Sequence, residues 1–245
     1  MSGHSHSSNI AHRKGLVDAK RGKLFSKLCR AIQVAAKNGG GDPDMNLKLR
    51  YAIDKARSVS CPKDNIERSV KKGTGDLGAD NYEEIVYEGY GPGGVAVLCE
   101  VLTDNRNRTA GELRKAFEIC GGNLGSVGCV SYLFNYQGLF LVDPKHVAEE
   151  VLMEVALDAG ANDVQLFDDF WEVTCDPKAF EPVRKALEAR QIATESAEMS
   201  YIPTTEVALD VDLGKRMIRL RDILDENDDV QNVYANDTIP EAANA

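Results

Sequence analysis

Hydrophobic and polar positions change period along this chain, and the changes divide it. Across Asp18–Asn38 the apolar residues Leu24, Leu28, Ile32, Ala35 and Ala36 recur at i, i+4, i+8, i+11 and i+12, with no proline and one glycine. That spacing predicts a helix with one buried face. Asn38-Gly39-Gly40-Gly41-Asp42-Pro43 stops it with a glycine cap and a proline. A second helix is expected from about Asn46 to Ser58, with Leu49, Ile53 and Ala56 inward. Cys61-Pro62 opens a third, with Ile66 and Val70 inward and Gly73 at its end.

Beyond the flexible Gly73-Thr74-Gly75-Asp76 and Gly78 the period drops to two, and β-branched residues take over in Glu84–Glu88 and Val95–Val101. The glycine-rich stretch between them, Gly89 to Gly94, is expected to be a turn between strands. A phosphate cradle would need a helix N-terminus directly after it, and a strand follows. A helix over Ala110–Cys120 and a strand over Val130–Tyr136 complete a βαβ unit. Next comes a self-contained series: strand Gly138–Val142, helix Lys145–Ala159, strands Asp163–Phe167 and Trp171–Cys175, helix Ala179–Arg190, strand Glu198–Ile202. Its βαββαβ order is ferredoxin-like. Strand Thr205–Leu209, helix Leu213–Glu226 and strand Val230–Tyr234 then read as the missing half of the earlier βαβ domain. The expected fold class is α+β, an N-terminal three-helix domain followed by two α/β domains with the second inserted into the first. The domains are expected at 1–75, at 76–136 plus 204–245, and at 137–203.

Charge sharpens this division. The chain as a whole is acidic, with a net charge of −10, yet residues 1–75 hold 16 Lys and Arg against 6 Asp and Glu. Residues 76–245 hold 13 against 33. A basic head of +10 sits on an acidic body of −20, so the head can meet phosphate while the body repels it. On the first helix Lys20, Lys23, Lys27, Arg30 and Lys37 fall on the arc opposite the apolar face and are expected to face solvent. The candidate nucleic-acid-binding residues are His12, Arg13, Lys14, Lys20, Arg21, Lys23, Lys27, Arg30 and Lys37, with Lys71 and Lys72 on the third helix. Arg106 and Arg108 read either as surface residues of a helix start or as a second contact with phosphate or a partner.

Other chemistry is thin. No G-x-S-x-G elbow, Walker loop, H-E-x-x-H or dinucleotide fingerprint occurs, so no enzymatic activity and no cofactor are expected. His4-x-His6 on a tail is read as an adventitious metal ligand pair, and the six scattered cysteines as reduced thiols. The acids Asp225, Glu226, Asp228 and Asp229 do not match an EF-hand loop and are expected to be solvated or to make local turn bonds. There is no run long enough for a membrane span and no secretory signal, which places the expected protein in the cytoplasm.

Many blocks are familiar in one order: Gly3-His4-Ser5, His12-Arg13-Lys14, Asp18-Ala19-Lys20-Arg21-Gly22-Lys23, Gly40-Gly41-Asp42-Pro43, Ala52-Ile53-Asp54-Lys55-Ala56, Pro62-Lys63-Asp64-Asn65-Ile66, Lys72-Gly73-Thr74-Gly75, Tyr87-Glu88-Gly89-Tyr90-Gly91-Pro92-Gly93-Gly94 and Asp228-Asp229-Val230-Gln231-Asn232-Val233-Tyr234. Over nearly its full length the chain resembles the YebC family, which includes the mitochondrial translational activator of cytochrome c oxidase. The resemblance implies three domains and a regulator of gene expression that binds DNA. It equally implies a ribosome-associated translation factor on ribosomal RNA or tRNA that aids elongation through proline-rich stretches. Two positions depart from the family's pattern. His6-Ser7 stands where members carry Lys-Trp, and Cys129 replaces a serine.

Overall fold

The computed structural model describes residues 21–78, 81–167 and 169–244. Helices and mixed antiparallel sheets follow one another as the sequence pattern requires, the helices first and two α/β arrangements after them. Among the described residues no helix is long and apolar enough to cross a membrane. Two compact units emerge. Among the described residues, one joins those up to Cys129 to Arg216–Val233, and the other joins Val130–Lys215 to those from Tyr234 on.

In the first unit, helices α1 (Arg21–Gly39), α2 (Leu47–Ser58) and α3 (Lys63–Gly73) form a bundle. Its core is Leu28, Ile32, Ala35 and Ala36 of α1 against Leu49, Ile53 and Ala56 of α2 and Ile66 of α3. Asn46 caps α2 by accepting from the Leu49 amide at 3.1 Å, and its Nδ2 donates to the Ala35 and Gly40 carbonyls at 2.9 and 2.8 Å. One buried side chain thereby ends one helix and starts the next. At Gly73 a Cβ would collide with the Gln33 carbonyl and lie 2.6 Å from the Ala36 Cβ. Only glycine lets the last turn of α3 press onto α1.

A sheet of order β3-β1-β2-β9 follows, built from β1 (Glu83–Tyr90), β2 (Ala96–Thr103), β3 (Asn123–Leu124) and β9 (Val230–Ala235). β1 and β2 pair antiparallel from Glu83↔Thr103 to Tyr90↔Ala96, so Gly91–Val95 is a strand-to-strand turn. Helix α4 (Arg106–Cys120) buries Leu113, Ala116, Phe117 and Cys120. Its Asn105 cap accepts from the Arg108 amide at 3.1 Å. Helix α7 (Val211–Glu226) precedes β9.

The second unit holds a four-stranded antiparallel sheet of order β5-β6-β4-β7: β4 (Phe134–Val142), β5 (Ala161–Phe167), β6 (Phe170–Cys175) and β7 (Thr194–Pro203). Helices α5 (Glu149–Asp158) and α6 (Phe180–Ala189) lie between its strands in sequence, giving the ferredoxin-like βαββαβ order. β8 (Val207–Ala208) and β10 (Asp237–Thr238) form a separate parallel pair.

Two elements start four residues earlier than the sequence reading has them, α4 at Arg106 and β7 at Thr194, and three others differ in ways that bear on the fold. The strands expected at Val130–Tyr136 and Gly138–Val142 are one strand, β4, which belongs to the second sheet and closes no βαβ unit with β1 and β2. Gly138 is no break: a Cβ there would meet Phe180 at 2.5 Å and Cys175 Sγ at 2.7 Å, so the glycine admits a close-packed ring inside a continuous strand. The helix expected from Lys145 begins at Glu149, because Asp143 first folds 143–146 into a turn, accepting from the Lys145 amide through Oδ1 and from the His146 amide through its carbonyl. The strand expected over Thr205–Leu209 shrinks to the two residues of β8.

Candidate nucleic-acid interface

Helix α1 carries the cations that the charge pattern singles out, and the amphipathic pattern that buries Leu28 and Ile32 turns Lys23, Lys27 and Arg30 away from the bundle core. Lys23 is exposed, as expected, whereas Lys27 and Arg30 are partly buried, and all three are engaged by acceptors of this unit. Lys27 Nζ donates to the Asp225 carbonyl at 2.6 Å and Lys23 Nζ to the Glu226 carbonyl at 3.2 Å. Arg30 Nη1 reaches the carbonyls of Leu102 and Asp228 at 3.1 and 2.7 Å and Asp229 Oδ1 at 2.8 Å. Its guanidinium also lies 4.9 Å over the Tyr82 ring. The physical cause is the end of α7. A helix leaves its last four carbonyls unpaired and carries partial negative charge there, and this stripe supplies cationic donors at the right spacing.

Asp229 is the hub of the arrangement. Only 4 % exposed, it accepts from Thr103 Oγ1 at 3.0 Å, Thr109 Oγ1 at 2.7 Å, Arg108 Nη2 at 2.7 Å and Arg30. Burial opposes its ionisation, but the hydrogen bonds from Thr109, Arg108 and Thr103 and the Arg108 charge outweigh it, so the carboxyl is held below its ordinary value. The expectation of a solvated or locally bonded Asp229 is therefore corrected. The sequence gives no sign of this role, because its partners lie 120 to 199 residues away and Asp229 looks like one more acid in a turn. Arg108, bound to Asp104 at 2.9 Å as well, belongs to this network; Arg106 offers its carbonyl to the Tyr87 hydroxyl at 3.2 Å. A cleft of about 470 Å³ opens beside the network. Lys23, Arg30 and Arg108 line it, but so do five carboxylates, which makes it a poor anion pocket.

The other expected residues fall elsewhere. Lys37, in the last turn of α1, is exposed and donates to Asn81 Oδ1 at 3.0 Å. Lys71, exposed, and Lys72, partly buried, form the last turn of α3, one turn on from the exposed Arg68, which sequence reasoning left out of the candidate set. Close packing of Gly73 on Gln33 and Ala36 brings the C-terminal turns of α1 and α3 together. Lys37, Arg68, Lys71 and Lys72 thus gather at one end of the bundle. His12, Arg13, Lys14 and Lys20 lie outside the described residues, and Arg21 enters only as the first residue of α1. The link from α2 to α3, Val59–Pro62, has the length of a helix-turn-helix turn, and Lys63, Asp64 and Glu67 are exposed at the start of α3.

Known proteins match the chain almost end to end. A family model described as the TACO1/YebC protein N-terminal domain matches residues 5–76, and one described as TACO1/YebC second and third domain matches residues 82–237. A probable transcriptional regulatory protein of Geobacter sulfurreducens is 57% identical over 236 residues, covering 96% of this chain and 95% of the relative. One of Treponema denticola is 54% identical over 241 residues, covering 98% of each. Among solved structures, the crystal structure of a conserved hypothetical protein from Aquifex aeolicus superposes with a TM-score of 0.83 at 46% identity, over 92% of this chain and 93% of that one.

Proposed function

The chain belongs to the TACO1/YebC family, and from that premise we propose that it regulates gene expression by binding nucleic acid through its N-terminal helical bundle. The names of its bacterial relatives, probable transcriptional regulatory proteins, support the regulatory role. One observation carries the nucleic-acid part: Lys37, Arg68, Lys71 and Lys72 converge at one end of the bundle, in the only strongly basic portion of an acidic chain. Clustered cations of this kind suit a phosphate backbone, and the acidic remainder limits how much of the molecule can approach it.

The start of α3 bears on what is read. In a helix-turn-helix the N-terminal residues of the second helix meet base edges, and here two of them, Asp64 and Glu67, are exposed carboxylates. Acids suit a few cytosine contacts and repel the flanking phosphates. That favours recognition of backbone and shape over base sequence, and it supports a structured RNA, the ribosome included, as the second reading beside DNA.

The test is fluorescence anisotropy of a labelled duplex and a labelled RNA hairpin with the full chain and with a variant carrying Arg68→Glu and Lys71→Glu. The variant is expected to keep its circular dichroism spectrum and lose affinity. Its log–log salt slope should flatten by about 0.9 per lost contact on duplex DNA and about 0.7 on single strands. Unchanged affinity in the folded variant would remove this end of the bundle from the reading. No binding of either probe by the unaltered protein at low salt would remove nucleic acid altogether. Tighter binding of the hairpin, with nuclease-sensitive co-sedimentation with ribosomes, would select the RNA target.

A further inference from the structure

The stripe Lys23, Lys27 and Arg30 has the spacing of a phosphate-binding row, and the protein occupies it with its own acceptors. Two of those acceptors, the Asp225 and Glu226 carbonyls, are the last two of α7 and are uncharged; they carry only a share of the helix's partial negative charge. A phosphate oxygen with a full charge is the stronger acceptor for the same ammonium groups.

The contacts are also graded along the stripe. Lys23 is 3.8 Å from Asp228, with the two side chains 54% and 66% exposed, so this ion pair is weak and screened by salt. Lys27 is partly buried and holds a neutral carbonyl at 2.6 Å. Arg30, with its side chain only 16% exposed, is fixed by two carbonyls and the buried Asp229 carboxylate. Competition by an anion would therefore begin at Lys23, reach Lys27, and stop at Arg30.

We infer that the contact between the α1 stripe and the end of α7 is an autoinhibitory clasp. In the free protein the α7 carbonyls and Asp228 occupy Lys23 and Lys27; nucleic-acid phosphate displaces them, with Arg30 on Asp229 as the pivot that stays closed. The inference rests on the nucleic-acid reading above and adds a regulation to it. The bundle binds first through its exposed end, and further phosphate contacts become available only as the end of α7 is released. Affinity then depends on how firmly the clasp is held as well as on how many cations the bundle carries.

Hydrogen exchange read by mass spectrometry, on the full chain at low salt with and without a short duplex or an RNA hairpin, tests this directly. Release of the two lysines uncaps α7, so exchange across Leu224–Asn227, short of the Arg30-held Asp228 and Asp229, is expected to quicken on binding. The expected factor is about two- to fivefold for each cation withdrawn from a helix C-terminus. Unchanged or slower exchange there, under conditions where anisotropy shows the probe bound, would overturn the clasp and leave the proposed function standing. Absence of binding would overturn both.

A second arm uses Asp228→Asn, an exposed change that loosens Lys23 and leaves the Asp229 network whole. It should tighten binding and steepen the salt slope by up to one contact, about 0.9 on duplex DNA and about 0.7 on single strands. Asp54→Asn removes the same charge from α2 and is the control. Equal effects from the two variants would mean general electrostatics and would overturn the clasp.

Discussion

Replacing Asp229 with alanine is the most incisive perturbation of the unit that carries the bundle. The change removes one acceptor from four donors: Thr103, Thr109, Arg108 and Arg30. Truncating one partner of a buried charged network costs about 3–5 kcal/mol. The surroundings place this case at the low end of that range. Thr109 Oγ1 still reaches Thr103 Oγ1 at 2.8 Å, Arg108 keeps Asp104, and Arg30 keeps the Leu102 and Asp228 carbonyls. A loss of about 3 kcal/mol lowers the melting temperature by about 6–12 °C at roughly 2–4 °C per kcal/mol for a chain of this size. Differential scanning calorimetry of the full chain reads it.

Asp229→Asn adds a signature in pH. Because the folded carboxyl is held below its ordinary value, its contribution to stability is complete above about pH 4 and is lost as pH falls through the folded pKa. The unaltered protein should lose stability over that acid window by an amount that Asp229→Asn does not show. A melting temperature for Asp229→Ala within about 2 °C of the original, or identical acid limbs for the original and Asp229→Asn, would refute the network's role.

Two further outcomes follow from packing and burial. Gly73→Ala should cost about 1–3 kcal/mol because its Cβ meets the Gln33 carbonyl, whereas Gly22→Ala, with nothing within 4 Å, should gain about 0.5–1 kcal/mol; paired urea denaturation curves check the sign of each. Alkylation by iodoacetamide at about pH 8 should modify the partly buried Cys29 and Cys129 first. Cys61 and Cys175, each pushed up to about 11 chiefly by burial, should lag, and the wholly buried Cys99 should react last, so early labelling of Cys99 in the folded protein would contradict the packing.

The helices of the bundle were legible because their evidence is local. Leu28, Ile32, Leu49, Ile53 and Ile66 sit at helical spacing, and Asn46 and Gly73 mark ends. The ferredoxin-like order was readable for the same reason, from alternating period and turn residues. Gly138 misled because a glycine that opens space for Phe180 looks, in one dimension, like a glycine that breaks a strand. The cationic stripe was recognised and its partners were not. Periodicity says that Lys27 points away from Leu28, but nothing in a local window says that the end of a helix near residue 225 waits on that side. Arg68 stands three and four residues before Lys71 and Lys72, so the same helical spacing that selects those two also points to it.

The sheet order β3-β1-β2-β9 has a consequence for synthesis. β2 is one of the two interior strands of this sheet and is nearly all buried, yet one of its two neighbours is made only after the whole of Val130–Lys215. A nascent chain emerging from the N-terminus forms the bundle and the β1–β2 hairpin early. It then carries β2 with one edge unpaired and apolar until the last stretch of the protein arrives, which is the form of exposed strand that pairs with other chains. A chain terminated after Val130 is therefore expected to carry an unpaired β2 edge, and to aggregate where the full chain does not.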